Sequence, residues 1–485
     1  MPTDLDELFE ALGRQADTVP LAGAEQARRR GRRRTRVRAA VCAAAAVVLV
    51  VAGFGLALRP PERRADRPVP ADRAPAPPVG SPIDLGGKIA HSVSSRDDRR
   101  VYTAFVRYQD NSAGLIAADL RSGAVAWAAR PIDDPRRSIT QVVVVPRAVL
   151  VVTAALNGVT AAAGLFAFDP ATGAPLWQKE NDDAQQLVYS DRMLIQVTPG
   201  RQAVGFDWAT GRQRWSESLG GDGAGGGSEP VRALGLTTPA DEERVNQAGP
   251  PPDFTDSRFV LVTAAGVAQL RDVDTGRLRR SVPVTPASLS GATMVAYGGW
   301  LFSHDEQDDA PGELHIRATD LTGDGGSRVI GVLPGRLRTL RTLGGCGPDR
   351  VCVVTQAESG DKQTVVTAID ARTARRVWQT PAQGGDQLSS AHGRTMLTAA
   401  EGGYQLFDAA GHSIFDSVLT GGWLDAGTLL VAAPDGTARL SRWPVTTKRL
   451  HPLQAPLPMT IGNCTSTADR LACVTPAGLQ LWKVG

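Results

Sequence analysis

The chain has 485 residues, of which 42% are hydrophobic, and 53 Lys and Arg against 50 Asp and Glu give a formal net charge of +3. Residues 1–38 carry nine Arg and six acidic residues, which is the whole of that +3, so residues 39–485 are neutral overall. A neutral chain offers no overall field for a polyanion, and we therefore expect no nucleic-acid partner.

Residues 1–38 contain a short apolar pattern followed by a block of arginines. Leu5, Leu8, Phe9 and Leu12 are spaced as one face of a helix, and acidic residues surround them. This pattern predicts a short amphipathic helix, either as part of a lightly structured tail or as a docking helix for a cytosolic regulator. Eight arginines then fall within residues 28–38.

Residues 39–58 contain no charged side chain. Twenty apolar residues form a helix long enough to cross the hydrocarbon core of about 30 Å. Because the arginine block precedes them, we expect a single-pass cell-membrane protein with a cytosolic N-terminus and an extracytoplasmic remainder. A cleaved signal peptide is the alternative, but the 38-residue leader and the length of the apolar run disfavour it.

Residues 59–82 contain eight prolines and few apolar side chains. Proline-rich chains are extended and semi-rigid. We expect a linker that holds the remaining residues, 83–485, away from the membrane.

A repeated unit occupies most of residues 83–485. In its clearest copies an Asp is followed four residues later by Gly and eight residues later by Trp: Asp119, Gly123 and Trp127; Asp169, Gly173 and Trp177; Asp207, Gly211 and Trp215. A fourth copy has Ala in place of Gly: Asp370, Ala374 and Trp378. Weaker copies start at Asp272, which keeps Gly276, and at Asp320 and Asp408; their eighth positions hold Arg280, Arg328 and Asp416.

Each copy predicts a strand, a turn and a second strand. Apolar runs precede the Asp, the Asp-x-x-Thr-Gly stretch has turn chemistry, and the Trp is placed to fill space between neighbouring units. The seven aspartates recur on average about every 48 residues, the length of a four-stranded propeller blade. The pattern predicts an all-β fold, a seven- to eight-bladed β-propeller with eight blades favoured. We expect a strand from the N-terminal side, such as residues 83–93, to complete the final blade.

The repeat resembles that of the quinoprotein-like (PQQ-like) β-propeller family, A-x-D-x-x-T-G-x-x-x-W. The resemblance covers roughly 400 residues and rests on four copies in phase. It implies that the Trp side chains dock adjacent blades, which gives Trp127, Trp177, Trp215 and Trp378 a structural role. The family's quinone-dependent dehydrogenases have two adjacent cysteines at the cofactor, and this chain has none. The non-enzymatic, membrane-anchored branch is therefore the closer resemblance.

Apart from Cys42 in the predicted span, the cysteines form two local groups, Cys346 with Cys352 and Cys464 with Cys473. Both lie in similar strand-turn-strand contexts, although four thiols allow three pairings. We expect two local disulfides, as suits an extracytoplasmic location. A zinc site is the alternative, but CxxC spacing is absent.

Few residues suggest reaction chemistry. The six histidines are scattered, and the acidic stretch 304–309 lacks the spacing of a calcium loop. We expect no catalytic residues, no metal and no cofactor. The predicted function is a non-catalytic binding or scaffold module for an unidentified extracytoplasmic protein or small ligand. The alternatives are a transmembrane sensor acting on a cytosolic regulator such as a sigma factor, and a quinone-dependent dehydrogenase.

Overall fold

The structure is a computed structural model. It describes residues 76–485, apart from 133–136, 156–162, 182–185, 199–201, 220–231, 239–255, 264, 285–293, 307–312, 335–337, 358–362, 392, 400–402, 418–420, 426, 433–438, 447–450, 457–463, 468 and 485. The tail helix, arginine block, membrane span and most of the linker predicted from the sequence lie outside the described residues. Within the described part of the chain, no helix has the length and hydropathy needed to cross a bilayer.

The described residues form 36 strands in nine antiparallel four-stranded sheets, called blades 1 to 9 below. Blades 1 to 3 contain β2 (Ile89–Arg96), β3 (Arg100–Arg107), β4 (Ala113–Asp119) and β5 (Val125–Ile132); β6 (Arg137–Val145), β7 (Ala148–Ala155), β8 (Ala163–Phe168) and β9 (Pro175–Asn181); β10 (Gln186–Tyr189), β11 (Met193–Thr198), β12 (Gln202–Asp207) and β13 (Gln213–Ser218). Blades 4 to 6 contain β14 (Arg232–Gly235), β15 (Arg258–Thr263), β16 (Val267–Asp272) and β17 (Leu278–Pro283); β18 (Val295–Tyr297), β19 (Trp300–Glu306), β20 (Glu313–Asp320) and β21 (Ser327–Pro334); β22 (Arg338–Gly345), β23 (Arg350–Ala357), β24 (Thr364–Asp370) and β25 (Arg376–Ala382). Blades 7 to 9 contain β26 (Gln387–Ala391), β27 (Arg394–Thr398), β28 (Tyr404–Phe407) and β29 (Ser413–Ser417); β30 (Gly421–Asp425), β31 (Thr428–Ala432), β32 (Arg439–Pro444) and β33 (His451–Pro456); β34 (Cys464–Ser466), β35 (Arg470–Thr475), β36 (Gly478–Lys483) and β1 (Pro78–Ile83).

The middle strands of each blade are the most apolar because both of their faces are covered. In β24 six of seven residues are buried, whereas burial alternates along the outer strand β25. This difference follows the sequence, since a continuous apolar run suits a strand covered on both faces and alternation suits a half-exposed strand.

The hydrophobic core is divided among the interfaces of consecutive blades. One cluster joins Tyr102 and Leu115 of blade 1 to Val151 and Phe166 of blade 2. Similar clusters join blades 2 and 3, 3 and 4, 4 and 5, 5 and 6, 6 and 7, and 7 and 8. Each blade is therefore stabilised mainly by its neighbours, as in other repeat architectures.

Blade 9 combines the two ends of the described chain. Its outer strand, β1, pairs antiparallel with β36, with Val79 opposite Leu481 and Ile83 opposite Leu479. Leu479 and Leu481 in turn share a hydrophobic cluster with Phe105 of blade 1. An N-terminal strand completes the last blade, as expected, but it is Pro78–Ile83, and Ile89–Arg96 is instead the inner strand of blade 1.

The described residues contain nine four-stranded sheets, one more than the eight favoured from the repeat spacing. The average spacing is lengthened by the 65 residues between Asp207 and Asp272, which include β14 of blade 4. Blades 8 and 9 also lack the Asp-x-x-Thr-Gly turn, so the repeat count did not register them as full units. The first strand includes residues 78–82, which the composition had assigned to the linker.

Candidate functional site

The turn between the third and fourth strands is closed by the repeat aspartate. In blade 2, Asp169 Oδ1 accepts hydrogen bonds from the backbone N–H of Ala171 at 2.9 Å and from the N–H and hydroxyl of Thr172 at 2.7 and 2.9 Å. Gly173 follows with a φ of 69°, which glycine adopts at little cost. In four other blades the turn aspartate likewise accepts a hydrogen bond at Oδ1 from the backbone N–H three residues later. These aspartates are Asp119, Asp207, Asp272 and Asp370.

These hydrogen bonds hold the aspartates in their ionised form. Partial burial by itself would raise the pKa of Asp169, but the hydrogen bonds from Thr172 and Ala171 outweigh it and lower the pKa. At Asp119 the hydrogen bonds from Ser122 have the largest effect, and its pKa is also lowered. The pKa is lowered at all seven turn aspartates: Asp119, Asp169, Asp207, Asp272, Asp320, Asp370 and Asp408. A carboxyl group with a lowered pKa is ionised near neutral pH. It can accept the hydrogen bonds of the turn but has no proton to donate.

The repeat tryptophan lies over the turn of the next blade. Trp127 of blade 1 is 6% exposed, and its indole Nε1 donates to the Pro170 carbonyl of blade 2 at 3.2 Å. A Cβ added to Gly173 would lie 2.6 Å from the Trp127 ring. Two constraints therefore favour glycine at this position: the backbone has a positive φ, and the tryptophan ring leaves no space for a Cβ.

The same contact recurs at three further seams, where a seam means the contact between two consecutive blades. The ring and glycine pairs are Trp177 with Gly211, Trp215 with Gly276, and Trp378 with Gly411. Trp177 and Trp215 also donate to the carbonyl directly after the next aspartate, at 2.7 Å to Trp208 and 2.8 Å to Val273. All four tryptophans singled out from the sequence thus lie at seams.

Strand register identifies the residue at the docking position in blades that lack the repeat tryptophan. Trp127 pairs with Ala117, two residues before the turn aspartate. The same register assigns Arg280, Arg328 and Phe415 to this position in blades 4, 5 and 7. In blade 7 this residue is seven positions after the aspartate instead of eight, where Asp416 stands, because the turn after Asp408 is one residue shorter than the others.

Blades 8 and 9 lack the aspartate but retain an equivalent backbone hydrogen bond. In blade 1 the N–H of Leu120, just after the aspartate, donates to Arg99; Val445 and Val484 make the corresponding bonds in blades 8 and 9. The residue three positions before each of these valines corresponds to Ala117 of blade 1, the register partner of Trp127. Its own register partner is His451 in blade 8 and Val79 in blade 9, so these two residues occupy the docking position. A Cβ at Gly123 of blade 1 would lie 2.1 Å from the Val79 carbonyl, so backbone replaces the indole at the closing seam.

Arginine occupies the docking position at two consecutive seams. At the seam of blades 5 and 6, Arg328 donates to the carbonyls of Ala371 and Arg372, the second at 2.7 Å, and its guanidinium lies 5.8 Å from the Trp300 ring centroid. Ala371 directly follows the turn aspartate, so Arg328 uses the same acceptor as the indoles. The facing turn has Ala374 at a φ of 55°, where other turns have glycine.

The seam of blades 4 and 5 is more open. Arg280 Nη1 donates to the Thr322 carbonyl at 3.4 Å and lies 3.6 Å from Asp324, which is fully exposed. The left-handed glycine of the facing turn, Gly326, has no atom within 4 Å of its added Cβ. A cavity of about 530 Å³ lies here, lined by Ser257, Arg258, Leu270, Asp272, Arg279, Arg280, Leu321 and Thr322.

The three arginines of this cavity differ in their partners. Arg258 makes two hydrogen bonds to Asp256, at 2.8 and 2.7 Å, and these raise its pKa. Arg279 binds Asp272 at 2.6 Å while its side chain remains 60% exposed. Arg280 has the longest contacts of the three. Arg258 and Arg279 are thus already paired with carboxylates, and Arg280 is the cationic group of the cavity most available to an anionic ligand.

Both expected disulfides are present. Cys346, directly after the first strand of blade 6, is joined to Cys352 of the second strand, with Cα atoms 5.7 Å apart. Cys464 is joined to Cys473 across the first two strands of blade 9, with Cα atoms 4.1 Å apart, and the two residues are register partners. The prediction of two local disulfides is confirmed.

The acidic stretch 304–309 is only partly described. Asp305 is 2% exposed and accepts a hydrogen bond from Arg317 Nε at 2.8 Å. Within the described ranges, no group of three or more His, Cys, Asp and Glu side chains is arranged to hold a metal ion.

A family model described as "Outer membrane protein assembly factor BamB" matches residues 161–319. This range contains the last two strands of blade 2, all of blades 3 and 4, and the first three strands of blade 5 up to residue 319. The repeats in that range are thus of the type the sequence resembles. No curated protein matches the chain.

Three solved structures are similar to the chain at low identity. The crystal structure of BamB from Moraxella catarrhalis has 15% identity and a TM-score of 0.38, covering 82% of this chain and 97% of that chain. The computationally designed Ika8 protein has 17% identity and a TM-score of 0.43, covering 74% and 96%. A europium-containing methanol dehydrogenase has 12% identity and a TM-score of 0.39, covering 75% and 84%.

Proposed function

We propose that the protein is a membrane-tethered, extracytoplasmic β-propeller that acts as a non-catalytic binding or scaffold module. The observation that carries this proposal is the use made of the repeat residues. The aspartates close turns and the tryptophans dock blades, so the most distinctive side chains of the chain serve its architecture. Binding then falls to surfaces between and around the blades.

The family match supports the same direction. The model that matches residues 161–319 is described as "Outer membrane protein assembly factor BamB". We transfer from it only the general role of a scaffold that contacts other proteins. The two disulfides support an extracytoplasmic location, because disulfides persist in oxidising compartments.

The quinone-dependent enzymes that the repeat resembles are the competing class. Those enzymes place adjacent cysteines at the cofactor, whereas the described cysteines bond across six and nine positions. Both disulfides join strands within one blade, and Cys352 and Cys473 are fully buried. The cysteines present do not fit the cofactor site of those enzymes.

Crosslinking in intact cells tests the proposed function. The full chain with a C-terminal affinity tag is treated with a membrane-impermeant crosslinker and purified, and captured proteins are identified by mass spectrometry. We expect reproducible capture of an extracytoplasmic protein. Failure of the impermeant reagent to reach the chain would contradict the predicted topology.

A second assay tests the enzyme alternative directly. The purified full chain is incubated with pyrroloquinoline quinone and calcium and assayed for dye-linked oxidation of alcohols and sugars. We expect no tight uptake of quinone and no turnover. Tight uptake with turnover would overturn the non-catalytic proposal.

A transmembrane sensor is the second candidate, and the apolar face of residues 5–12 is the observation that favours it. A pull-down with residues 1–38 as bait distinguishes the two. Capture of a cytosolic regulator that is lost in a Leu8→Ala/Phe9→Ala variant favours the sensor. Equal recovery with both baits favours the scaffold.

A further inference from the structure

We propose that the open seam of blades 4 and 5 binds an extended acidic peptide segment, with one of its carboxylates held by Arg280. This proposal rests on the binding function proposed above and names a site and a ligand class for it.

The first argument is the contrast between equivalent seams. At four seams a tryptophan ring lies within 2.3–2.6 Å of the Cβ position of the facing glycine, while the space around Gly326 is open to 4 Å. Arg280 occupies the tryptophan position at this seam without covering that glycine. The cavity of about 530 Å³ lies at this seam, where the facing turn is also one residue longer than the turns of blades 2 and 4.

The second argument is the state of the cationic groups. Arg328, at the same position one seam further on, has two backbone carbonyl partners and an aromatic ring. Arg280 has one carbonyl at 3.4 Å and an exposed carboxylate at 3.6 Å. Because these contacts are long, a carboxylate that approaches Arg280 gains a charge-assisted bond without displacing a strong one. Arg279 lies on the same cavity wall and is 60% exposed, but it already binds Asp272 at 2.6 Å, so Arg280 is the arginine available to the ligand.

The third argument favours a peptide over a small anion. The strand that carries both arginines, β17, ends its sheet, so in the described part of the chain its outer edge has no partner strand. An edge strand offers backbone N–H and C=O groups to an added strand, and side-chain pockets then determine specificity. Leu278, 49% exposed on this strand, adds apolar contact. A single phosphate ion would contact only the charged arginine side chains and would leave the strand edge and the apolar surface without a ligand.

Fluorescence anisotropy on the purified full chain tests the proposal. The probe is a fluorescein-labelled peptide of alternating Glu and Thr, and its matched control has Gln in place of Glu. We expect saturable binding of the Glu peptide that weakens as salt concentration rises, and no saturable binding of the Gln peptide. Equal binding of the two peptides, or none of either, overturns the proposal.

Variants locate the site. Arg280→Gln removes the charge, and Arg280→Trp introduces the residue found at four other seams and is designed to fill the cavity. We expect each to weaken binding of the Glu peptide by about tenfold or more. Arg130→Gln is the matched control, because Arg130 is an exposed arginine that donates to the Thr172 carbonyl at the seam of blades 1 and 2, at 3.2 Å. We expect it to change binding less than twofold.

The remaining outcomes are also decisive. Equal effects of Arg280→Gln and Arg130→Gln would mean nonspecific charge attraction and overturn the site. Displacement of the peptide by inorganic phosphate at the same concentration as its carboxylates would assign a small-anion site instead. Thermal unfolding checks that each variant is folded, and Arg280→Gln decides the question if Arg280→Trp does not fold. If the site fails but crosslinked partners persist in Arg280→Gln, the general binding function stands without this site.

Discussion

Replacing Gly276 with alanine should destabilise the protein through two separable effects. Gly276 has a φ of 68°, and a Cβ there would lie 2.5 Å from Trp215 Cε3. Carbon atoms in favourable contact are about 3.5–4.0 Å apart, so the ring or the turn must move. The ring is restrained, because it is 8% exposed, donates to Val273 at 2.8 Å and stacks on Phe259.

The expected magnitude is the sum of a backbone cost and a packing cost. Alanine in the left-handed region costs about 1–2 kcal/mol, and overpacking a buried contact costs about 1–3 kcal/mol. Gly276→Ala should therefore lower the free energy of unfolding by about 2–5 kcal/mol. Gly326→Ala is the matched control, since its φ is 61° but no atom lies within 4 Å of the added Cβ. It should cost only the backbone part, about 1–2 kcal/mol.

Scanning calorimetry and urea unfolding of the full chain provide the measurement. The difference between the two variants isolates the contribution of the tryptophan contact. Ala374, at a φ of 55° under an arginine seam, shows that the chain accepts alanine where no indole covers the turn. Equal losses for Gly276→Ala and Gly326→Ala would refute the docking argument and leave only the backbone requirement.

Three further predictions follow from the turns, the disulfides and the closing strand. Because the pKa of each turn aspartate is lowered on folding, its stabilisation is complete above the ordinary value of about 4 and is lost as pH falls through the folded pKa. The urea midpoint should therefore fall between pH 5 and 3, and less steeply in Asp169→Asn. Cys464→Ser/Cys473→Ser should cost about 2–3 kcal/mol, and peptide mapping of the wild type without reductant should recover the two local pairs; crossed pairs would contradict the structure. Deleting residues 78–83 should lower the melting temperature and expose β36 to proteolysis, whereas unchanged unfolding would argue against closure by β1.

Because the motif repeats, the sequence alone predicts the aspartate turn and the tryptophan that packs between blades. Asp, Thr and Gly at fixed positions determine a local turn, so the hydrogen bonds of Asp169 could be anticipated from chain order alone. The large flat side chain eight residues on could be assigned to blade contacts for the same reason. Local spacing determines local geometry.

Register is what the sequence could not supply. The turn after Asp408 is one residue shorter than its equivalents, which moves Phe415 into the docking position in place of Asp416. Phe415 then packs against Tyr404 and Trp443, with ring centroids 5.6 and 4.4 Å apart. Counting eight residues from the aspartate assumes a turn of constant length. It therefore gives the wrong docking position wherever the turn is shorter. Comparing the distance from the apolar strand to the next aromatic residue would have suggested Phe415.

The docking residues also indicate where the ring can accommodate binding. Tryptophan at a seam fills the space above the facing turn and leaves no room for a ligand. Arg280 and Arg328 occupy consecutive seams, yet Arg328 satisfies its guanidinium within the protein and Arg280 does so only weakly. Because blades 4 and 5 also share a hydrophobic cluster that includes Leu270 and Leu321, opening the outer part of their seam leaves the inner contact intact. A repeat protein can thus acquire a binding site by losing one packing residue at the periphery while its neighbours maintain the fold.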